Sequence, residues 1–140
     1  MGNRENILDC AQHLFYEKGY DAVGVQEIVD VAGITKPTLY YYFKSKSGLL
    51  ESLLENRLSP IHNNLRNAVD YAQDVQQALM NVARVYLWAA ADNKEFYFMM
   101  LSLFYMGRGN EAYKLVRPYF TEQFEIIISI FHKFSSNWAT

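Results

Sequence analysis

The sequence predicts an all-α protein, and three observations carry that prediction. Apolar residues recur at helical spacing in nearly every segment, no stretch alternates apolar and polar side chains as a half-buried strand does, and only three prolines interrupt the chain. With 140 residues, 51% of them hydrophobic, the chain is the size of one globular unit and has the material for a core, which excludes a disordered tail.

The elements follow in order. Ile7, Cys10, Ala11, Leu14, Phe15 and Lys18 fall at i, i+3, i+4, i+7, i+8 and i+11, so a first helix puts its apolar side chains, Cys10 included, on one face until Gly19 stops it. A short second helix turns Val25, Ile28, Val29 and Ala32 inward and ends at Gly33. Thr35 then reads as an N-cap, and Pro37 falls in the first turn, where a missing amide leaves no bond unmade. The third helix therefore covers 36–43. Ser45 caps a fourth helix bearing Leu49, Leu50, Leu53, Leu54 and Leu58, which is expected to stop before Pro60. Further helices are expected at roughly 60–72, 74–91, 94–106 and 110–135, separated by Asp92-Asn93 and by Gly107-Arg108-Gly109. This divides the chain into a three-helix unit at 1–46 and a helical unit at 47–140, with helix 47–58 linking the two.

Charge narrows the function classes. The formal net charge is −2, so any attraction for a polyanion must be local. Residues 31–50 hold Lys36, Lys44 and Lys46 and no Asp or Glu, whereas residues 1–30 hold Glu5, Asp9, Glu17, Asp21, Glu27 and Asp30 against Arg4 and Lys18. The field is polarised toward one surface. One cysteine, Cys10, makes no internal disulfide, is expected in the core, and suits a reducing compartment. No signal-peptide pattern is seen, and the apolar run 96–106 is shorter than the ~20 residues of a membrane span, so a cytoplasmic protein without a membrane partner is expected.

Two short helices joined by a glycine turn of three to four residues are the physical specification of a helix-turn-helix, and residues 25–43 meet it. Leu39 and Phe43, an i, i+4 pair, face the core, which leaves Pro37 and Tyr41 outward with Thr38 and Tyr40 beside them. Lys36, at the positive end of the helix dipole, can reach a guanine edge or a phosphate. The hydroxyls of Tyr41 and Tyr42 can donate to phosphate oxygens, and Lys46 adds a charge just beyond the helix. The same tyrosines would also serve as packing between short helices.

The stretch Gly19-Tyr20-Asp21-Ala22-Val23-Gly24-Val25 and the segment VQEIVDVAGITKPTLYYYFKSKSGLLESLL that follows from Val25 resemble the DNA-binding domain of the tetracycline-repressor (TetR) family over residues 4–55. The resemblance implies that Lys36, Pro37 and Tyr40 touch bases, that Gln26 occupies another base-contacting position, and that Thr38, Tyr41, Tyr42 and Lys46 touch phosphates. Thr35, which caps the helix, belongs to the same DNA-facing set. The chain departs from the family in two places. Val23-Gly24-Val25 lacks the Ser or Thr that often caps the second helix, and Ser47 stands where an acidic residue is frequent.

The resemblance further implies a helical effector-binding and dimerisation domain, with double-stranded operator DNA and a small molecule as partners and a homodimer as the working form. Aromatic and methionine side chains crowd 88–106, and Trp88, Phe96, Met99, Met100, Leu103 and Phe104 are the candidate effector pocket, although the same residues would fill an ordinary core. Val116, Phe120, Phe124, Ile127, Phe131 and Phe134 form a candidate seam on the last helix, and Pro118 is expected to kink its first third. Family members run past this length, which leaves open a short natural member, a truncated product or a fragment lacking dimerising helices.

An enzyme is not expected. His13, His62 and His132 stand apart from any carboxylate or cysteine at metal-ligand spacing, and no phosphate loop or nucleophile elbow appears, so neither metal nor cofactor is implied. The rival reading is an all-helical adaptor whose aromatic groove binds a partner helix. The expected mechanism is release of a palindromic operator when a small apolar or aromatic effector tilts the fourth helix.

Overall fold

In the computed structural model, which describes residues 3–135, all regular structure is helical: α1 (Asn3–Lys18), α2 (Val25–Ala32), α3 (Lys36–Phe43), α4 (Lys46–Asp70), α5 (Val75–Asp92), α6 (Lys94–Phe104) and α7 (Glu111–Phe134). The helix starts are chemically explicit. Thr35, Ser45, Asp74, Asn93 and Asn110 each accept a backbone N–H of the first turn, satisfying donors that have no intrahelical partner. Gly24 has no side chain to do this, and α2 begins without a side-chain cap.

The fourth helix differs from the expectation of a stop before Pro60: α4 is a single 25-residue helix that carries Pro60 inside it. An interior proline removes one hydrogen bond and costs about 3 kcal/mol. Packing outweighs that cost here. Leu58 on one side of Pro60 and His62 and Leu65 on the other are all buried, and Pro60 itself is exposed, so the defect lies on the outer face. The consequence is architectural, because α4 enters two cores. The first joins Leu49, Leu50, Leu53, Leu54 and Leu58 to α1, α2, α3, α6 and the start of α7. The second joins Leu65, Ala68 and Val69 to Ala78 and Val82 of α5 and to Ile126, Ile130 and Phe134 of α7. The first core is continuous across residue 46, since Ile7 and Phe43 belong to the same cluster as Phe96 and Val116.

The last helix also corrects the sequence expectation. Its buried stripe is Ala112, Val116, Ile126, Ile130 and Phe134, whereas Phe124 is 64% exposed, Phe131 48% exposed, and Phe120 and Ile127 are only half-buried. Phe124 and Phe131 are seven residues apart and share a flank, and the stripe facing α4 turns the other way around the helix. Cys10 is half-buried rather than core, its thiol 3.8 Å from Asn6 Oδ1, and burial and then the Asp9 charge push its pKa up.

Replacing Pro60 by Ala restores one helical hydrogen bond at an exposed position, and we expect a stabilisation of about 2 kcal/mol in chemical denaturation. An unchanged or lowered midpoint would mean that α4 needs a bend at this position.

Candidate nucleic-acid interface

The turn between α2 and α3 is built by backbone geometry. Gly33 sits at φ +68°, a left-handed conformation that costs a side-chain-bearing residue about 1–2 kcal/mol, and its N–H reaches the carbonyl of Asp30 at 3.3 Å. The N–H of Ile34 closes onto Val29 at 3.0 Å, which completes the helix end. Thr35 Oγ1 accepts the amide of Thr38 at 3.4 Å and lies 3.1 Å from the Thr38 hydroxyl. Leu39 and Phe43 are buried, as their spacing requires, and this fixes which face of α3 points outward.

That outward face carries the sequence-predicted residues. Lys36, Pro37 and Thr35 are exposed, and so are Tyr40, Tyr41 and Tyr42, with Tyr41 at 82%. Tyr41 and Tyr42 stack edge-on with ring centroids 5.2 Å apart, so the more exposed ring is braced by its neighbour. Thr38 is half-buried against its cap. Gln26 is exposed on α2, but its amide nitrogen bonds Asp30 at 2.7 Å and has to turn before it can meet a base. Lys46 opens α4, just beyond α3. It is half-buried, its Nζ lies 4.0 Å from the centroid of the Tyr20 ring, and burial lowers its pKa.

Lys44 was counted in the local charge but not assigned to this face. It is exposed at the end of α3 with φ +70°, a strained value for lysine. Two residues into α4, the backbone of Gly48 approaches α3 so closely that a Cβ there would sit 2.0 Å from the carbonyl oxygen of Phe43. The angle at which α3 leaves α4 depends on that missing side chain.

Beside the continuous first core, two polar seams that no linear pattern reveals join α1 and the α1–α2 turn to α4, α6 and α7. In the first, Arg57 of α4 bonds Glu5 at 2.9 Å, Asp9 at 2.5 Å and Gln12 Oε1 at 3.0 Å, all on α1. Gln12, only 6% exposed, in turn donates to Asn93 Oδ1 at 3.1 Å and to Glu95 at 3.0 Å, at the start of α6. His13 adds a 2.8 Å bond to Glu95 that raises its pKa. In the second seam the buried Tyr20 donates to Glu111 at 2.8 Å, and Asn110 donates to Asp21 at 2.6 Å. Burial, then the Glu111 bond, pushes the Tyr20 phenol far above its ordinary range.

Residues 7–53, which contain this helix-turn-helix, match the family described as bacterial regulatory proteins, tetR family. The match covers the helix-turn-helix unit, about a third of the chain, and it is this unit that is similar to the TetR family. It is 36% identical over 76 residues to the HTH-type transcriptional activator FasR of Mycolicibacterium smegmatis, covering 54% of this chain and 35% of FasR. Over 86 residues it is 35% identical to the HTH-type transcriptional repressor BdcR of Escherichia coli, covering 59% of this chain and 44% of BdcR. A solved Clostridium perfringens structure, assigned as a fatty acid metabolism regulator, matches with a TM-score of 0.83 at 26% identity, over 96% of this chain and 72% of that one. The chain thus spans less than half the length of these two curated relatives.

Two adjoining clefts open between α4, α5 and α6. The polar one, about 500 Å3, is lined by Arg57, Arg84, Trp88, Asp92 and Asn93 among others. The apolar one, about 320 Å3, is walled by Tyr86, Tyr97, Met100, Phe104 and Phe120 and reaches α7. Ile61, Ala89, Asn93 and Phe96 line both. Of the candidate pocket residues, Phe96, Met100 and Phe104 line the apolar cleft, and Trp88, 71% exposed, lines the polar one. Met99 and Leu103 line neither. They face the first core, at 1% and 2% exposure, because they sit on the side of α6 that packs on α1.

Behind the apolar cleft lies a buried histidine. His62, 3% exposed, contacts Glu122 through Nδ1 at 2.9 Å, and Glu122 also pairs with Arg66. Burial, then the Arg66 charge, lowers the His62 pKa, so the ring is neutral at pH 7. Its Nε2 accepts from Gln123 Nε2 at 2.9 Å, and Tyr86 donates to Gln123 Oε1 at 3.2 Å. Nearby, Tyr119 donates to Glu55 at 3.1 Å, and its phenol is pushed up to about 12 by burial and then by that bond. Among the described residues no cluster of three or more His, Cys, Asp or Glu could hold a metal ion, and no helix is long and apolar enough to cross a membrane.

Two substitutions at the α3–α4 corner should move in opposite directions. Gly48→Ala forces backbone to shift and should destabilise by about 2 kcal/mol or more, whereas Lys44→Gly relieves the positive φ and should stabilise by about 1 kcal/mol in urea denaturation. Equal small effects would mean that the corner is not under steric control. For the first seam, a double-mutant cycle of Gln12→Ala and Arg57→Ala should return a coupling energy of about 1–2 kcal/mol. A value near zero would show that the α1–α4 bonds act independently.

Proposed function

We propose that the chain is a ligand-responsive transcriptional regulator that grips a palindromic DNA operator as a homodimer and releases it when a small apolar or aromatic effector fills the apolar cleft. The observation that carries the reading is the outward face of α3, where Lys36 and three exposed tyrosines stand on a helix with no acidic residue of its own. Lys36 and Pro37 open the helix and meet base edges with Tyr40. Tyr41, Tyr42, Thr35 and Thr38 hold phosphates, and Lys44 adds a further charge. Gln26 supports base contact from α2, and Lys46, its Nζ over the Tyr20 ring, adds a phosphate contact.

Release follows from the seams. Two recognition helices of a dimer must stand about 34 Å apart to enter successive major grooves, and each hangs on α1 and α4. Asn93 lines both clefts and bonds Gln12, so a ligand that displaces Asn93 loosens α1. Repression is the sense we propose. Of the relatives, FasR is an activator and BdcR a repressor.

The decisive test is selection of bound duplexes from sheared genomic DNA at two salt concentrations, with molar mass from light scattering. A dimer should enrich a palindrome, and the Lys36→Ala, Tyr41→Ala double substitution should weaken binding at least about tenfold and reduce the salt slope by about one. Failure of a folded dimer to enrich any duplex would reject DNA recognition and favour the adaptor reading.

A further inference from the structure

The apolar cleft has a chemically defined polar end. None of its lining residues is Asp, Glu, Lys, Arg or His, and its walls carry six aromatic rings: Tyr86, Phe96, Tyr97, Phe104, Tyr105 and Phe120. An ionised ligand would lose hydration there with no counter-charge in the lining, since Arg57, Arg84 and Asp92 belong to the adjoining cleft. Rings favour rings, by offset and edge-on stacking of the kind Phe104 already makes with Phe120 at 5.2 Å.

The hydrogen-bonding head is set by what Gln123 and Tyr86 still have to offer. The neutral ring of His62 donates from Nδ1 to Glu122, which makes Nε2 an acceptor and turns the amide nitrogen of Gln123 toward it. The amide oxygen is thereby turned toward Tyr86, whose hydroxyl donates to it. Gln123 retains its second amide hydrogen, and Tyr86 retains the lone pairs of its oxygen. The polar end of the cleft presents one donor and one acceptor side by side.

We propose that the effector is an uncharged, ring-bearing molecule with a hydroxyl group, whose oxygen accepts from Gln123 and whose hydrogen is donated to Tyr86, its rings lying among Phe96, Phe104 and Phe120. A hydroxyl fits because it accepts and donates at one atom, whereas a carboxylate only accepts and an ammonium only donates. The cleft volume of about 320 Å3 suits one or two rings. This rests on the reading of the cleft as the effector site and adds the class of molecule.

Titration calorimetry with 4-butylphenol, butylbenzene, 4-butylbenzoate and 4-butylbenzylammonium at pH 7 tests it, since a phenol with a pKa of about 10 stays un-ionised there. The phenol should bind at least about tenfold tighter than each of the other three, the worth of one or two neutral hydrogen bonds. Gln123→Leu should erase the advantage of the phenol over butylbenzene while leaving butylbenzene affinity within about twofold, which also shows that the cleft has kept its shape. Tighter or equal binding of the benzoate or the ammonium, a phenol advantage that survives Gln123→Leu, or no binding by any of the four overturns the proposal. Operator binding measured on the same preparations separates the two readings. Lost selectivity with intact operator binding sinks only the ligand class, and intact selectivity without operator binding sinks only the regulator.

Discussion

Helix α4 has to satisfy two cores at once, and the rest of the structure is arranged around that requirement. Its N-terminal leucines close the three-helix unit and its C-terminal residues pack between α5 and α7. A helix committed at both ends cannot slide. At its N-terminal end it meets α3 at Gly48, where backbone meets backbone without an intervening side chain, and that close approach fixes how α3 is set against α4.

The two seams differ in how firmly they hold. The Tyr20–Glu111 seam is built on a buried phenol and belongs to the first core, so it resists separation of the α1–α2 turn from α7. The Arg57–Gln12–Asn93 seam is less enclosed. Arg57 is 16% exposed, Glu5 and Asp9 are 40% and 50% exposed, and all the bonds are polar. Charge pairs of that exposure hold α1 in register without holding it strongly. The α1–α3 unit is therefore anchored apolarly at one edge and latched polarly at the other, and the latch adjoins both clefts.

How much of this was legible in sequence follows from the range of the interactions. The bounds of α2 and α3 were readable because every signal lies within a few residues: Gly33 for the turn, Thr35 for the cap, Pro37 in the first turn, and Leu39 with Phe43 for the buried side. Pro60 misled because propensity is local, whereas burial of Leu58 in the first core, of Leu65 in the second and of His62 against α7 is tertiary and larger. The phenylalanine seam misled for a related reason: spacing gives a stripe but not which neighbour it faces, and Phe124 falls outside the stripe chosen by α4. Arg57 and Gln12 are 45 residues apart and His62 and Gln123 61 apart, and no spacing rule connects polar residues at such distances. Lys44 was invisible for the opposite reason, since a left-handed lysine contradicts the preference that makes glycine readable.

Under the proposed function, the polar character of the latch is what would suit it to regulation. Coupling free energies between sites lie at about 1–3 kcal/mol, so the element that carries one must be breakable within that range. An apolar seam like that formed by Leu53 and Leu54 is too strong, because exposing one such side chain alone costs about 1.5–3 kcal/mol. A few hydrogen bonds worth about 0.5–1.5 kcal/mol each are of the right size. Asn93 is the residue where this matters most. It caps α6 through Phe96 N at 3.1 Å, bonds Gln12 in both directions and lines both clefts, so one side chain joins the clefts to α1. Loss of that cap weakens the start of α6, and loss of its bonds to Gln12 leaves Arg57 and Glu95 as the remaining partners of Gln12 in this seam, beside the apolar core that packs α1.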